Sequence, residues 1–178
     1  MRILGLSGSL RSESANTALL RAVAKLAPSG VATPLFEGMD ALPHFSPERD
    51  TDEPPASVRA LREALRAADA ILVCTPEYAH GMPGSLKNLL DWVVGSGELV
   101  EKPVGLLSGS PSASGGAFAH AQLLEVLGVM NTALVPEACF TIPSIRTKVR
   151  NDTVVDADLE ARLRGALAAL VAAAQARA

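Results

Sequence analysis

Short runs of β-forming residues alternate with segments of helical periodicity along this 178-residue chain. In the helical segments, apolar side chains recur every three or four residues, as on one face of an amphipathic helix. Residues 71–75 form a continuous run, which is typical of a central strand buried on both faces of a parallel sheet. Because strands that alternate with helices pair in parallel, the pattern predicts an α/β fold of three layers around a five-stranded parallel sheet.

Clusters of Pro, Gly, Ser and Asp separate the predicted elements. The predicted strands are residues 2–6, 31–36, 71–75, 103–107 and 132–135. The predicted helices are residues 16–26, 56–67, 84–94, 117–130 and 156–176. Pro34 weakens the second strand because proline has no N–H to donate. Two stretches are predicted to be irregular: residues 142–151, and residues 38–55, whose length is typical of a functional or mobile loop.

The composition excludes several classes of protein. Apolar residues make up 48% of the chain and charged residues 20%, which favours one compact domain over residues 1–178. A net charge of −3 provides no basic face for nucleic acid or a membrane surface. The two cysteines form no Cys-x-x-Cys pair and the three histidines are scattered, so we expect no metal site. We find no signal-peptide core and no membrane span, and we expect a cytoplasmic protein.

The loop of residues 7–17 follows the first strand and opens the first helix. Unpaired backbone N–H groups and the helix dipole favour an anion at such a position. Hydroxyl donors and one arginine accompany them: Ser9, Ser14, Thr17 and Arg11. Together they predict a site for a phosphate monoester, although neither the P-loop nor the three-glycine dinucleotide pattern is present. The alternative is a simple capping loop, with Ser14 or Asn16 as the N-cap.

Two further loops follow the third and fourth strands, at the same edge of the predicted sheet. Residues 75–84 contain two prolines and two glycines, which would present a rigid backbone to the polar edge of a heterocycle. Tyr78 adds an aromatic face in a chain with only 3% aromatic residues. Residues 108–116 are rich in Gly and Ser and allow close approach to a flat ligand. The alternative for both loops is that they are only connectors.

Some polar residues near these loops are open to two interpretations. His80 could shuttle a proton, but an exposed residue without a role is the more common case. Glu77 and Asp91 could form an acid/base pair, whereas a helix cap or an ion pair with Lys87 or Arg11 is the favoured interpretation.

Two motifs together resemble the NADPH-dependent FMN reductase family. The segment Gly8-Ser9-Leu10-Arg11, with Ser14 and Asn16, is similar to the phosphate loop of that family. Residues 76–78, 83–84, 86–88 and 91–92 are similar to its second flavin loop and the helix that follows. The order of elements matches over nearly the whole chain. Ala79 stands where many relatives have Asn, and the third loop also departs from the commoner form.

The resemblance implies a flavodoxin-like fold with bound FMN and with NAD(P)H as co-substrate. The residues implied to hold the FMN phosphate are Ser9, Arg11, Ser14, Asn16 and Thr17. Those implied to line the isoalloxazine ring are Pro76, Glu77, Tyr78 and Ala79, with Ser110, Gly115 and Gly116 approaching from the third loop. No residue is singled out as catalytic, because the chemistry would take place on the flavin. The family often forms homodimers or homotetramers with the flavin near a subunit interface.

The activity implied by the resemblance is two-electron transfer from NAD(P)H by a ping-pong mechanism. The acceptor would be a quinone, a free flavin, an azo compound or a metal oxyanion. A flavodoxin-type electron carrier is the main alternative, although such carriers are typically more acidic than this chain. A fold that has lost FMN is disfavoured by the intact phosphate loop, and a hydrolase by the lack of a Gly-x-Ser-x-Gly elbow. Three basic residues could attract the 2′-phosphate of NADPH or form only a solvated face: Arg146, Lys148 and Arg150.

Overall fold

A four-stranded parallel sheet forms the framework of the computed structural model, which describes residues 1–177. Residue 178, part of the predicted domain, lies outside the described residues. The strands are β1 (Ile3–Ser7), β2 (Ala70–Thr75), β3 (Pro103–Ser110) and β4 (Ala133–Pro143), and they lie in this order. Every residue of β2 is buried, as the continuous run at residues 71–75 predicted.

The prediction of five parallel strands is wrong in its number. Residues 31–36 lie beside β1, but they pair with it only through two isolated parallel bridges. Gly5 N–H donates to Pro34 O at 2.8 Å, and Phe36 N–H donates to Gly5 O at 2.9 Å. Because Pro34 has no N–H, this edge segment cannot form a continuous ladder. The chain follows the course of a fifth strand there without forming one.

The last strand is longer than predicted. β4 was expected to end at residue 135, but a shift in register lets it continue: Leu134 lies opposite Val104, and Cys139 opposite Leu106. Pro136 falls within this irregularity, which is where a sheet tolerates proline. The strand predicted to end at residue 135 therefore continues through a bulge at Pro136.

The prediction that residues 142–151 are irregular is also wrong. Residues 142 and 143 complete β4, and a short helix α5 (Ile145–Lys148) follows. The antiparallel strands β5 (Val149–Arg150) and β6 (Thr153–Val154) then form a small hairpin. Asn151 and Asp152 make its turn with φ values of 48° and 54°, a conformation that Asn and Asp tolerate.

Five longer helices cover the sheet, with bounds within two residues of those predicted: α1 (Ala15–Leu26), α2 (Ala56–Arg66), α3 (Gly84–Val94), α4 (Ala117–Val129) and α6 (Ala157–Arg177). Side chains of α1 and α6 pack with alternate strand residues such as Ile3 and Leu72 in one core cluster. Side chains of α2, α3 and α4 pack with Leu4 and Ile71 in a second cluster. The core therefore lies on both faces of the sheet, as a three-layer fold requires.

The long loop of residues 38–55 is anchored to α3. The indole N–H of Trp92 donates to Pro43 O at 2.8 Å, and the Phe45 ring meets the Trp92 ring edge-on at a centroid distance of 5.1 Å. Near the other end of the loop, Arg62 bonds both Asp50 and the Trp92 carbonyl, at 2.8 and 2.7 Å. These contacts fix a segment whose length alone suggested function or mobility.

Among residues 1–177, no helix is both long and apolar enough to cross a bilayer.

Candidate functional site

The loops after β1, β2 and β3 meet at the carboxyl end of the sheet around a cavity of about 230 Å³. Eight of the twelve predicted cofactor residues line it: Ser9, Arg11, Ser14, Asn16, Pro76, Glu77, Tyr78 and Ser110. The other four do not: Thr17, Ala79, Gly115 and Gly116. The cavity also includes residues that are not among those twelve: Glu13, Ala15, Gly109, Pro111, Ile145 and Arg146, the last of which was considered only for the 2′-phosphate of NADPH.

The first loop turns into α1 through a series of hydroxyl contacts. Ser14 is the N-cap of α1, and its hydroxyl accepts the Thr17 N–H at 3.3 Å. The Ser9 hydroxyl accepts the Arg11 N–H, also at 3.3 Å. The N–H groups of the first two helical residues, Ala15 and Asn16, have no intrahelical acceptor and lie at the cavity. Ser14 is thus the cap that one alternative required, and its capping leaves N–H donors available for an anion.

Thr17 lies outside the cavity. Its hydroxyl is 2.6 Å from the hydroxyl of Ser7, the last residue of β1. Ser7 in turn accepts the Ser9 N–H at 3.3 Å. Thr17 therefore supports the first loop from behind.

Two arginines face the cavity from different elements. Arg11 belongs to the first loop, and α5 brings Arg146 to the same cavity. Both also line an adjoining depression of about 480 Å³ on the other side of the start of α1. Within residues 1–177, neither arginine has a carboxylate partner within 4 Å, whereas the nearby Arg21 and Lys148 each have one. The cavity therefore carries two arginines that form no salt bridge within the described chain, although Glu13 also lines it.

The position of Arg146 at the cavity was not predicted from the sequence, because residues 142–151 were expected to be irregular. The available signal was Ile145, an apolar residue between Ser144 and Arg146. Its buried side chain anchors α5, and α5 turns Arg146 toward the cavity.

Glu77 serves as a helix cap. Its Oε2 accepts the N–H groups of Phe118 and Ala119, at 2.8 and 3.0 Å, in the first turn of α4. Asp91 forms an ion pair with Lys87 at 2.6 Å. The structural interpretation is thus confirmed for both carboxylates, and they do not form an acid/base pair.

The second loop ends in a tight turn. Tyr78 and Gly81 exchange two backbone hydrogen bonds of 3.0 Å, and the residues between them, Ala79 and His80, have φ values of 50° and 58°. This is the geometry of a type I′ turn, which favours Asn and Gly. The exposed His80 ring stacks on Phe118, with centroids 4.4 Å apart and planes 8° apart. His80 and Ala79 are exposed and do not line the cavity, whereas Tyr78 does.

The glycines of the third loop accommodate the protein's own backbone. Gly115 has a φ of 64°, and a Cβ there would lie 2.8 Å from Pro143 N. Gly116 has a φ of 86° and is the N-cap residue of α4. They shape the loop that presents Ser110 to the cavity.

Other reactive groups are buried. Ser108 is fully buried, and its hydroxyl lies 3.2 Å from His120 Nδ1. Burial lowers the pKa of His120 and raises the pKa of the Cys74 thiol. No cluster of three or more His, Cys, Asp or Glu side chains suited to a metal ion occurs in residues 1–177. The Ser108–His120 pair and the Cys74 thiol therefore do not line the cavity, and the donors that do line it suit the binding of an anion.

The cavity combines the donors of the first loop and α5 with Pro76 and Tyr78 of the second loop. Helix N–H groups, hydroxyls and two arginines are the donors that a phosphate monoester needs. The second and third loops bound the remaining space with rigid backbone. A phosphate attached to a flat heterocycle, as in FMN, fits this donor set.

Comparisons with known proteins agree with this interpretation. The model of the family "NADPH-dependent FMN reductase" matches residues 1–147. A quinone reductase of Escherichia coli is 31% identical over 174 residues, which cover 95% of this chain and 93% of that protein. A 2-hydroxy-1,4-benzoquinone reductase of a Burkholderia species is 33% identical over 162 residues, covering 89% and 87%.

Solved structures show the same fold. The flavoenzyme NAD(P)H:(acceptor) oxidoreductase FerB of Paracoccus denitrificans matches with a TM-score of 0.84 and 30% identity, over 98% of this chain and 97% of that one. A flavodoxin, WrbA-like protein of Agrobacterium tumefaciens matches with a TM-score of 0.62 and 24% identity, over 98% of both chains. The fold is therefore flavodoxin-like, and the chain belongs to the NADPH-dependent FMN reductase family.

Proposed function

We propose that this protein is an FMN-dependent NAD(P)H oxidoreductase that passes two electrons to an acceptor by a ping-pong mechanism. The observation that carries the proposal is the cavity where unpaired arginines and the start of α1 meet the second flavin loop. When bound, FMN supplies the redox chemistry, taking hydride from NAD(P)H and passing electrons to the acceptor. The protein binds and orients the reacting molecules.

The phosphate end of the site is assigned to the first loop and α5. Arg11 and Arg146 approach from two sides, and planar guanidinium groups pair well with phosphate oxygens. The Ser9 and Ser14 hydroxyls and the first N–H groups of α1, including that of Asn16, add hydrogen bonds. Thr17 acts through Ser7.

The ring end is assigned to the second and third loops. Pro76 and Tyr78 line the cavity directly. Since the Glu77 carboxylate caps α4, Glu77 offers the ring its backbone, and Ala79 does the same. Ser110 approaches from the third loop, whose course depends on Gly115 and Gly116.

A quinone is the acceptor that we favour. The relatives from Escherichia coli and Burkholderia are named for quinone reduction, and a flat acceptor suits the open side beside Tyr78. Free flavin, azo compounds and metal oxyanions belong to the same proposal. Nicotinamide and acceptor would need the same open side of the ring, so they would bind in turn. This shared position is the reason for a ping-pong mechanism.

We propose further that the protein forms a homodimer or homotetramer through the outer face of α4. Glu125 is the single charged residue in α4, and Phe118 and Val129 are 54% and 80% exposed. Helices of soluble proteins normally present a polar outer face, so an apolar one favours contact with a second copy. Light scattering of the purified protein tests this assembly.

The test of the activity is an absorption spectrum before and after anaerobic addition of NADPH or NADH, followed by initial rates with a benzoquinone. We expect flavin bands that bleach with the nucleotide and return with the quinone, and parallel double-reciprocal plots. Bands that persist with both nucleotides would favour the electron carrier instead. A colourless protein that does not bind added FMN would overturn the proposal.

A further inference from the structure

Asn16 uses its side chain inside the protein. Its Nδ2–H donates to Gly109 O at 3.0 Å, and its Oδ1 accepts the Gly109 N–H at 3.1 Å. The same Oδ1 accepts the Cys74 thiol proton at 3.2 Å. The residue is only 4% exposed. An amide that donates once and accepts twice in this way joins the start of α1 to the ends of β2 and β3.

Gly109 needs this partner because β2 ends early. The last pair between β2 and β3 is Thr75 with Ser108. The residue that follows β2 is Pro76, which has no N–H to donate to Gly109. On its other side, Gly109 pairs with Ile142 of β4. A buried peptide group without a partner would be costly, and the Asn16 amide supplies both the donor and the acceptor that a strand would offer.

Gly109 is packed too closely to accept any side chain. A Cβ at this position would lie 2.7 Å from Asn16 Oδ1 and would overlap the Ile145 side chain. Ile145 begins α5, the helix that carries Arg146. The Asn16 amide thus lies where the first loop, the third loop and α5 meet.

We propose that Asn16 is a positioning residue for flavin binding: its amide fixes the start of α1 against Gly109 and thereby sets the spacing between the two ends of the site. The inference rests on the proposed FMN function. A ligand of the phosphate would affect FMN alone. A residue that sets the spacing also affects riboflavin, which has the ring without the phosphate.

The variants Asn16→Ala and Asn16→Asp test the proposal. Removal of a buried hydrogen-bonding group lowers riboflavin and FMN affinity about tenfold each. Asp has nearly the shape of Asn, but its ionised form cannot donate to Gly109 O, whereas its protonated form can. Burial beside a carbonyl raises the pKa of such a carboxyl, so riboflavin affinity of N16D should recover as the pH falls from about 8 to about 5.

Riboflavin is the right probe because it lacks the phosphate, which itself titrates in this range. The titratable group in contact with Asn16 is Cys74, whose raised pKa keeps it neutral throughout. Other charged or titratable groups face the cavity from the surrounding elements: Arg11, Glu13, Glu77, Tyr78 and Arg146. The wild-type titration with riboflavin accounts for their contribution.

Asn88→Asp is the matched control. Asn88 pairs with backbone in the same way, donating to Pro43 O at 3.0 Å and accepting the Phe45 N–H at 2.8 Å, but it anchors the long loop away from the cavity. N88D should lose stability at high pH with no change in riboflavin affinity. Asn88 is half-buried, so N88D controls for the loss of an amide donor to a backbone carbonyl. An effect of that loss alone would appear in both variants, and a positioning effect only in N16D.

Fluorescence titration measures the riboflavin and FMN affinities of each variant, and circular dichroism confirms that the variants fold. If N16A does not fold, the pH dependence of riboflavin affinity in N16D still tests the proposal. Loss of FMN affinity alone would overturn the proposal by making Asn16 a phosphate ligand. Unchanged affinity in both variants would overturn it, and so would a wild type that binds FMN but not riboflavin. A wild type that binds neither flavin would instead refute the proposed function, and this inference with it.

Discussion

The long loop of residues 38–55 and the three loops at the carboxyl end of the sheet are both irregular, but they use polar groups in opposite ways. In the long loop, Pro43 O receives two donors, from Asn88 and Trp92, and Asp50 is paired with Arg62. At the carboxyl end, Arg11 and Arg146 face a cavity without a carboxylate partner. Irregular backbone whose polar groups are paired internally is structural, whereas donors left facing a cavity indicate a ligand.

The largest expected effect is a loss of stability in the long loop of residues 38–55, whose polar groups are paired. Arg62→Ala removes a buried guanidinium that bonds Asp50 and Trp92 O and lies 3.9 Å from Glu98. Loss of one partner from such a buried network costs about 3–5 kcal/mol of unfolding free energy. We expect chemical denaturation to show this loss while the FMN affinity of the folded protein stays unchanged. A tenfold loss of FMN affinity would show that the long loop belongs to the site after all.

Arg146→Ala should have the opposite effect, with lower FMN affinity and an unchanged free energy of unfolding. Because its guanidinium has no carboxylate partner in the described chain, its loss should leave the unfolding free energy nearly unchanged. A charge-assisted bond to phosphate contributes about 1.5–3 kcal/mol, so FMN affinity should fall about tenfold or more while riboflavin affinity remains. Flavin fluorescence titration measures both, and Arg150→Ala in the nearby hairpin is the control. Equal loss for both flavins would contradict a role at the phosphate.

Trp92→Phe probes the anchoring of the long loop at a smaller scale. It keeps most of the ring that packs against Phe45 but removes the N–H that donates to Pro43 O. One hydrogen bond and a small loss of volume should cost about 1–2 kcal/mol, and the remaining donor from Asn88 limits the damage. Thermal unfolding checks the value, and FMN affinity should not change. A larger loss, with altered flavin binding, would mean that the loop and the site are coupled.

The features of the fold and of the site that depend on local pattern could be predicted from the sequence. Helix bounds followed from apolar periodicity and the buried β2 from a continuous apolar run. Eight of the twelve residues that the family resemblance implied line one cavity. Prediction from the sequence failed where distant contacts decide the outcome. The continuation of β4 beyond residue 135 was not predicted, because its bulge exists only opposite β3. A solvated face was the favoured interpretation for Arg146, because only folding brings α5 to the first loop. Whether a loop's polar groups are paired internally depends on such contacts, so length and composition could not separate the two regions.

The smallest expected effect lies in the turn of the second loop. Ala79 is exposed and has a φ of 50°, which Ala adopts at some cost, whereas the hairpin turn at residues 151–152 already has the tolerant pair Asn-Asp. Ala79→Asn should therefore raise the unfolding free energy by about 0.5 kcal/mol, a rise in Tm of about 1–2 °C. Ala79→Val, with a branched side chain at the same φ, should lower Tm by more than this. Calorimetry of both variants checks the sign, and stabilisation by Val would show that the strain is absent. Because only the backbone of Ala79 is assigned to the ring and its exposed side chain does not line the cavity, flavin affinity should stay constant in both variants. Strain in the turn can then be relieved without changing what the site binds.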